Sequence, residues 1–248
     1  MYLSIWRVQF AQTISALCRV RNIVGEAKNR GSREQRVAKA IDRADVFHPH
    51  SVEYRRMLET AVSEAERLGL TPLPRVDPYR KVSDDVVERV RALCNDEYLP
   101  RLTRMVPGYW GSSCQNLAMH LFAWLRIAGY DVDLVVGEVN IQGNLEYDAT
   151  LEDIRNEYRI RLTEGSQRLH MWLTLGDDVI VDPGLAHRLI KYYRVPESVL
   201  DPILVHRADE FGTRLAVHHW PMLVGADFAT KTNRVGPFDL LDIYMNGL

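Results

Sequence analysis

Hydrophobic positions in the first third of the chain recur at helical spacing, in segments separated by polar breaks. The first segment covers 3–29, the second is the charged stretch 34–44, and the third covers 51–68 and ends before a glycine. The segment 71–81 contains three prolines and predicts an extended linker. We therefore expect a helical N-terminal region over residues 1–80, with a domain boundary in this linker.

Two further helices are predicted after the linker. Apolar residues at helical spacing follow an acidic first turn over 83–94. A loop rich in glycine and serine, 106–113, then leads into a long amphipathic helix that begins at Cys114 and ends at Gly129. The sequence therefore places a cysteine at the junction of a loop and a helix.

Beyond this helix the pattern changes from helical spacing to strands. The stretch 131–141 is apolar with partial alternation, and 169–175 and 179–183 are separated by a short polar turn that predicts a hairpin. The charged segment 150–162 predicts a short exposed helix or a lid. We therefore expect residues 81–248 to form one α+β domain, although the order of the apolar runs in its tail does not follow from the pattern.

Composition excludes several classes of function. Of 248 residues, 46% are hydrophobic and 26% are charged, and 31 basic against 33 acidic residues give a formal net charge of -2. This balance lacks the positive field that favours binding to phosphate backbones, and no apolar run reaches the roughly 18 residues of a membrane span. We expect a soluble protein with no membrane span and no nucleic-acid partner.

The three cysteines, Cys18, Cys94 and Cys114, are an odd number without close spacing. They suggest neither a disulfide framework nor a CxxC metal site, so a reducing, cytoplasmic compartment is expected. Cys114 differs from the others because a helix N-terminus presents unpaired N–H groups and a partial positive charge. Such a position favours a nucleophilic thiolate and offers donors to an oxyanion formed on a substrate carbonyl. A lone cysteine is more often a core residue, so the role of Cys114 has to be judged from the residues predicted to lie near it.

His170 begins one strand of the predicted hairpin and Asp182 ends the other, so we expect their side chains on neighbouring strands. A carboxylate beside an imidazole fixes its tautomer and favours its charged form, which stabilises a nearby thiolate. Each residue alone is common in strands. Together with Cys114, and in this order, they indicate a nucleophile, a base and an orienting acid.

The stretches GSSCQNLAMHLFAWLRIAGYDVDLVVGEV and HMWLTLGDDVIVDPG resemble the core of the transglutaminase-like superfamily of cysteine enzymes, which shares a papain-like arrangement with arylamine N-acetyltransferases. The resemblance covers roughly residues 108–185. It implies an antiparallel sheet on which the cysteine helix packs, with Cys114 as nucleophile, His170 as general base and acid, and Asp182 orienting His170. Gln115 departs from the aromatic residue that many members place after the cysteine, so the resemblance does not give the substrate.

An oxyanion hole needs at least two donors. The helix geometry implies the backbone N–H of Cys114 as the first. The second donor is predicted to be the indole of Trp110 or the phenol of Tyr109, because both residues stand just before the nucleophile.

The remaining histidines give no ligand pattern. His218 and His219 are adjacent and would face opposite sides of a strand, and His206 adds no known ligand spacing. We predict that these side chains are solvated or packed. His120 lies six residues into the cysteine helix, off the face of Cys114. These histidines therefore predict no metal site, and the acyl-transfer chemistry described next needs neither a metal nor an organic cofactor.

The expected reaction is acyl transfer through an acyl-enzyme on Cys114, resolved by water or an amine. Hydrolysis of an amide or peptide bond is preferred, as in a cysteine protease or amidase, ahead of glutamine deamidation or transamidation, and a protein or peptide is the expected substrate. Two alternatives stay open. One is an acetyl-group transferase that uses a thioester donor, and the other is a catalytically silent protein-binding module of the same fold.

Overall fold

A computed structural model of the chain describes residues 51–161 and 167–247. These residues form an α+β fold built on one antiparallel sheet, as predicted. The helices predicted over 3–29 and 34–44, and Cys18, lie outside the described residues. Within the described part of the chain, no helix combines the length and the apolar character needed to cross a membrane.

The sheet contains six strands in the described residues, and every pairing is antiparallel. They are β1 (Asp133–Ile141), β2 (Asn144–Leu145), β3 (His170–Gly176), β4 (Val179–Asp182), β5 (Leu204–Arg207) and β6 (Val217–Val224). The order across the sheet is β6-β1-β3-β4-β5, and the short β2 pairs with the end of β1. The predicted strands and hairpin are confirmed, and the tail supplies β5 and β6 at opposite edges.

The β3–β4 hairpin fixes the relative position of the two strands that carry the predicted triad residues. Thr174 pairs with Ile180 and Leu173 with Val181, around a two-residue turn at Asp177 and Asp178. Asp177 adopts a φ of 52°, which is the left-handed conformation that tight hairpin turns require. Because the turn is so short, the first residue of β3 and the last residue of β4 lie at the same end of the hairpin.

Helices cover both faces of the sheet. One face packs against α2 (Asp84–Ala92), α3 (Leu99–Met105), α4 (Cys114–Ile127), α5 (Leu151–Ile160), α8 (Ala226–Thr232) and α9 (Pro237–Asn246). The other packs against α1 (Ser51–Leu68), α6 (Leu185–Tyr193) and α7 (Ala208–Leu215). Alternate residues of β1 enter the two layers, with Val136 in the first and Val135 in the second. Burial on both faces explains why the strands read as nearly continuous apolar runs.

α4 is the central helix of the first layer. It packs on β1 and β3 on one side and on α9 on the other, and all of its residues from Leu117 to Leu125 are buried. His120 is among them: its Nδ1 lies 2.6 Å from the Tyr244 hydroxyl of α9, and burial lowers its pKa to about 4. His120 therefore lies in the core, outside the site, as predicted.

The described part of the N-terminal region, residues 51–80, belongs to the same core as the rest of the chain. α1 buries Tyr54, whose hydroxyl accepts the indole N–H of Trp172 in β3 at 3.1 Å. The proline-rich segment 71–81 is hydrogen-bonded to the sheet, because the Asp133 carboxylate accepts the backbone N–H groups of Arg75 and Val76 at 2.6 and 3.0 Å. The boundary predicted near residue 80 therefore does not separate two cores in the described residues.

Candidate active site

Asp182, at the end of β4, is the fully buried centre of a polar cluster. Its Oδ1 accepts the backbone N–H groups of Gly184 and Leu185, each at 3.0 Å, which closes the turn into α6. Its Oδ2 accepts the Nε2–H of His170 at 2.7 Å. Burial alone would raise the pKa of Asp182, but the charge and hydrogen bonds of the neighbouring imidazoles lower it well below its usual range. The carboxylate is therefore ionised throughout the physiological pH range.

His170 is fully buried at the start of β3 and is held on three sides. Its ring stacks between Tyr147, at a centroid distance of 5.1 Å, and Trp172, at 5.8 Å. Burial lowers the pKa of His170, but the charges of Asp182 and Cys114 outweigh this effect and raise it to about 10. Because Nε2 is committed to Asp182 and Nδ1 has no hydrogen-bond partner in the described residues, Nδ1 is the nitrogen that can serve the thiol.

Cys114 is the first residue of α4, as predicted, and its side chain is close to that of His170. The side chain of Ser113 makes no capping hydrogen bond, so no side-chain cap from that position competes for the N–H groups of the first turn. Cys114 is 7% exposed. Gly184 lies against both side chains: a Cβ placed on this glycine would lie 3.2 Å from Cys114 Cβ and 3.6 Å from His170 Cε1. The structure thus brings the three predicted triad residues together.

A substitution at Gly184 tests this close approach. Gly184 has φ -98° and ψ -22°, which any residue can adopt, so Gly184→Ala adds a methyl group without backbone strain. The methyl would press on Cys114 Cβ at 3.2 Å, so we expect it to shift the thiol relative to His170 and to lower the rate at which iodoacetamide alkylates Cys114 by about tenfold. Unfolding curves and the alkylation rate of the Cys114 peptide in the purified variant check this. A wild-type alkylation rate in a folded Gly184→Ala variant would contradict the assigned contact.

His219 is a fourth member of the cluster, which the sequence analysis assigned to packing or solvent. It is fully buried in β6, and its Nε2 lies 2.9 Å from the same Asp182 Oδ2 that binds His170. An ionised carboxylate only accepts hydrogen bonds, so Nε2 of His219 carries a proton. Burial lowers the pKa of His219, and the ring is therefore a neutral donor.

The prediction for His218 and His219 is thus corrected in one respect. The two side chains do alternate along β6, since His219 is buried and His218 is partly exposed. What the sequence does not contain is the position of β6, which pairs with β1 opposite β3. That pairing places His219 beside His170, with 6.4 Å between the two ring centroids, and both imidazoles reach the same oxygen of Asp182.

Three side chains of the cluster, His170, Asp182 and His219, could also hold a metal ion. One ligand atom each from His170, Asp182 and His219 lies within 4.8 Å of the others, and two imidazoles with a carboxylate suit several transition metals. In this structure, however, both Nε2 atoms donate protons to Asp182 Oδ2. A metal bound by these three atoms would have to replace both Nε2 protons, so the arrangement fits a hydrogen-bonded network better than a ligand set.

The prediction that the Trp110 indole is an oxyanion donor is wrong. Its Nε1–H donates to the carbonyl of Val106 at 2.8 Å, and its buried ring stacks on His187 at a centroid distance of 5.2 Å. The bond spans only four residues and closes the loop ahead of α4. The hydroxyl of Tyr109 is buried without a partner in the described residues and lies against Gly111, so its role stays a prediction.

A buried ion pair supports the loop before Cys114. Arg188 of α6, which is 1% exposed, donates its Nε–H to Glu146 at 3.0 Å and its Nη1–H to the carbonyl of Gly111 at 2.9 Å. The guanidinium therefore fixes the backbone three residues ahead of Cys114. The sequence analysis missed this pair, because α6 and the turn after β2 meet only through the tertiary fold.

No protein-family model, curated protein or solved structure matches the chain. The function is therefore inferred from the site itself, which is a buried Cys114, His170, Asp182 and His219 cluster at the N-terminus of a helix.

Proposed function

We propose that the protein is a cysteine acyl-transfer enzyme with a transglutaminase-like, papain-like core, and that it hydrolyses an amide or peptide bond. The observation that carries the proposal is the buried 2.7 Å hydrogen bond between Asp182 and His170, with Cys114 beside the same imidazole. Burial disfavours the charged form of an imidazole, so a buried imidazolium has to be stabilised by neighbouring negative charges. A thiolate nucleophile and a carboxylate beside His170 provide this stabilisation.

Each group then has one task in the reaction. The Cys114 thiolate attacks the substrate carbonyl, and the imidazolium of His170 gives its Nδ1 proton to the departing amine. Water next attacks the acyl-enzyme while neutral His170 removes its proton, and the thiolate is regenerated. Asp182 keeps the Nε2–H of His170 in place and stabilises the imidazolium.

His219 completes this arrangement as a positioning residue. Because it is neutral, it adds a donor to Asp182 without adding a second positive charge beside His170. With the N–H groups of Gly184 and Leu185, it holds the carboxylate in one orientation. The charge that pairs with the thiolate therefore stays on His170.

A second candidate is deamidation or transamidation of glutamine, and the 7% exposure of Cys114 favours it. A primary carboxamide at the end of a flexible side chain can reach a nearly buried thiol more easily than a backbone peptide bond can. Both candidates form an acyl-enzyme, so their products separate them. Incubation with glutamine-containing peptides should release ammonia or incorporate an amine in one case, and give peptide fragments in the other.

Cysteine reactivity tests the activated pair directly. We expect iodoacetamide to label Cys114 on the folded protein near neutral pH, read peptide by peptide by mass spectrometry. Cys94 is the internal control: it is fully buried and burial raises its pKa to about 12, so it should react only after unfolding.

The pH dependence of labelling reports on His170. Its pKa is raised to about 10, so the positive charge that stabilises the thiolate is present below that pH and is lost above it.

The His170→Ala variant completes the test. It should lower the labelling rate of Cys114 at neutral pH by about tenfold or more, since the thiolate loses its counter-charge, and should leave Cys94 unchanged. If Cys114 reacts as slowly as Cys94 in the folded wild type, the activated pair does not exist. A catalytically silent module of this fold would then be the better description.

A further inference from the structure

Tyr147, in the turn between β2 and α5, carries a polar group that the proposed mechanism does not use. Its hydroxyl is buried and has no hydrogen-bond partner in the described residues. A buried hydroxyl without a partner costs folding free energy. Such groups are rare in folded proteins, and one beside a reaction centre indicates a partner that arrives with the substrate.

The ring of Tyr147 lies against the groups that perform the reaction. It is nearly parallel to the His170 ring, at a centroid distance of 5.1 Å and an angle of 18°. The guanidinium carbon of Arg188, which also holds the loop ahead of Cys114 through Gly111, lies 4.8 Å from its centroid. Tyr147 therefore forms one wall of the site.

The backbone around Tyr147 is fixed by a buried carboxylate in β1. Glu138 is fully buried, and its Oε1 accepts the N–H groups of Val139, Glu146 and Tyr147 at 2.8, 3.1 and 2.9 Å. Its Oε2 accepts the N–H of Ala149 at 2.7 Å. The turn wraps around this side chain, so the phenol is held in position before any substrate binds.

The phenol is also a dependable donor. Burial raises the pKa of Tyr147 well above its ordinary value, and although Arg188 opposes this, the charge of Cys114 adds to it. The hydroxyl therefore keeps its proton at every working pH. A neutral phenol near a thiolate can donate a hydrogen bond to negative charge that develops on a substrate oxygen.

We propose that the Tyr147 hydroxyl donates a hydrogen bond to the carbonyl oxygen of the acyl donor, as the second oxyanion donor beside the backbone N–H of Cys114. The inference rests on the proposed function. As the sulfur–carbon bond forms, the carbonyl π pair moves onto oxygen and the phenol stabilises that charge without giving up its proton. The pair returns to re-form the carbonyl as the bond to the leaving group breaks, and where that group is an amine it takes the proton of His170.

The test uses 4-nitrophenyl acetate as a generic acyl donor and follows nitrophenolate release and the mass of the Cys114 peptide. Tyr147→Phe should slow acylation by about 10²-fold to 10³-fold, the usual cost of removing one oxyanion donor. The iodoacetamide labelling rate of Cys114 should stay within about twofold, because alkylation forms no oxyanion. The variant should unfold at the same or a higher denaturant concentration, since an unpartnered hydroxyl is removed.

Tyr192→Phe is the matched control. It deletes the same hydroxyl from a tyrosine that is 53% exposed, and acylation should be unchanged. A wild-type acylation rate in a folded Tyr147→Phe variant overturns the inference, although the proposed activation of Cys114 would still stand. If Tyr109→Phe, and not Tyr147→Phe, lowers the acylation rate by about 10²-fold to 10³-fold, Tyr109 is the second oxyanion donor. A matching fall in alkylation rate would show that Tyr147 acts on the thiolate, which also overturns the inference. A wild-type Cys114 that is neither alkylated nor acylated overturns the proposed function as well.

Discussion

Replacing Cys114 by alanine will abolish acyl transfer and leave the fold intact. Turnover should fall by a factor of about 10⁴ or more, because no other group in the site can form the acyl-enzyme. The change removes one sulfur atom from a buried side chain at a helix N-terminus, and this side chain belongs to neither of the two hydrophobic clusters of the core. We expect the midpoint of unfolding to shift little and the acyl adduct to disappear from the intact mass spectrum.

Cys94→Ala is the control for this variant and should behave in the opposite way. Cys94 is fully buried in the helical turn that joins α2 to α3, and it belongs to the hydrophobic cluster on that face of the sheet. Its loss should cost about 1 kcal/mol of unfolding free energy through lost packing and should leave turnover unchanged. Turnover by Cys114→Ala, or its loss in a folded Cys94→Ala variant, would contradict the assignment of the nucleophile.

Asp182→Asn should have the second large effect, on both the reaction and the fold. Asp182 accepts four hydrogen bonds. An amide in its place has no negative charge to pair with His170, and its N–H groups would face N–H donors that the carboxylate accepts. We expect kcat to fall by about 10⁴-fold, as for loss of an orienting carboxylate, and the unfolding free energy to fall by about 3–5 kcal/mol, as for a broken buried pair.

The pH dependence of the stability of this variant tests whether Asp182 is the source of the raised pKa of His170. In the wild type the pKa of His170 is raised from 6.5 to about 10, so its contribution to stability is complete below pH 6.5 and is lost as the pH rises to about 10. Without the carboxylate, burial dominates and the pKa of His170 should fall. The stability difference between wild type and variant should therefore be larger at pH 6 than at pH 10, measured by denaturant unfolding at each pH.

Asp227→Asn separates this effect from the general cost of losing a buried carboxylate. Asp227 is 4% exposed and accepts hydrogen bonds from Thr71, Tyr158 and Lys231, away from the site. It should destabilise the fold while His170 keeps its high pKa, followed by NMR of the imidazole protons. A His170 pKa that stays near 10 in Asp182→Asn would show that the carboxylate is not the source of the shift.

Local features of the fold could be predicted from the sequence because their contacts are short in the chain. A two-residue turn sets the β3–β4 hairpin, so His170 and Asp182 had to lie on neighbouring strands. The loop and the helix at Cys114 are adjacent in the chain, and their boundary carries its own signal in glycine, serine and apolar spacing. These features defined three of the four residues of the cluster.

The remaining features depend on contacts between distant segments. β6 pairs with β1 across about 80 residues, and nothing in its alternation indicates which strand it joins, so His219 could not be placed. The indole of Trp110 is used by a carbonyl four residues away, a local bond that composition does not reveal. The proline-rich segment is fixed by Asp133, whose hydrogen bonds to that backbone are a property of the folded state alone.

The position of His219 in β6 has a consequence for synthesis of the protein. Because β6 is among the last described elements of the chain, Cys114, His170 and Asp182 leave the ribosome before the strand that supplies the second imidazole to Asp182. A nascent chain that stops before β6 leaves one edge of β1 open and the carboxylate short of a donor. The hydrogen-bonded cluster around Asp182 can therefore form completely only after β6 has been translated, and a chain truncated before β6 lacks the His219 donor.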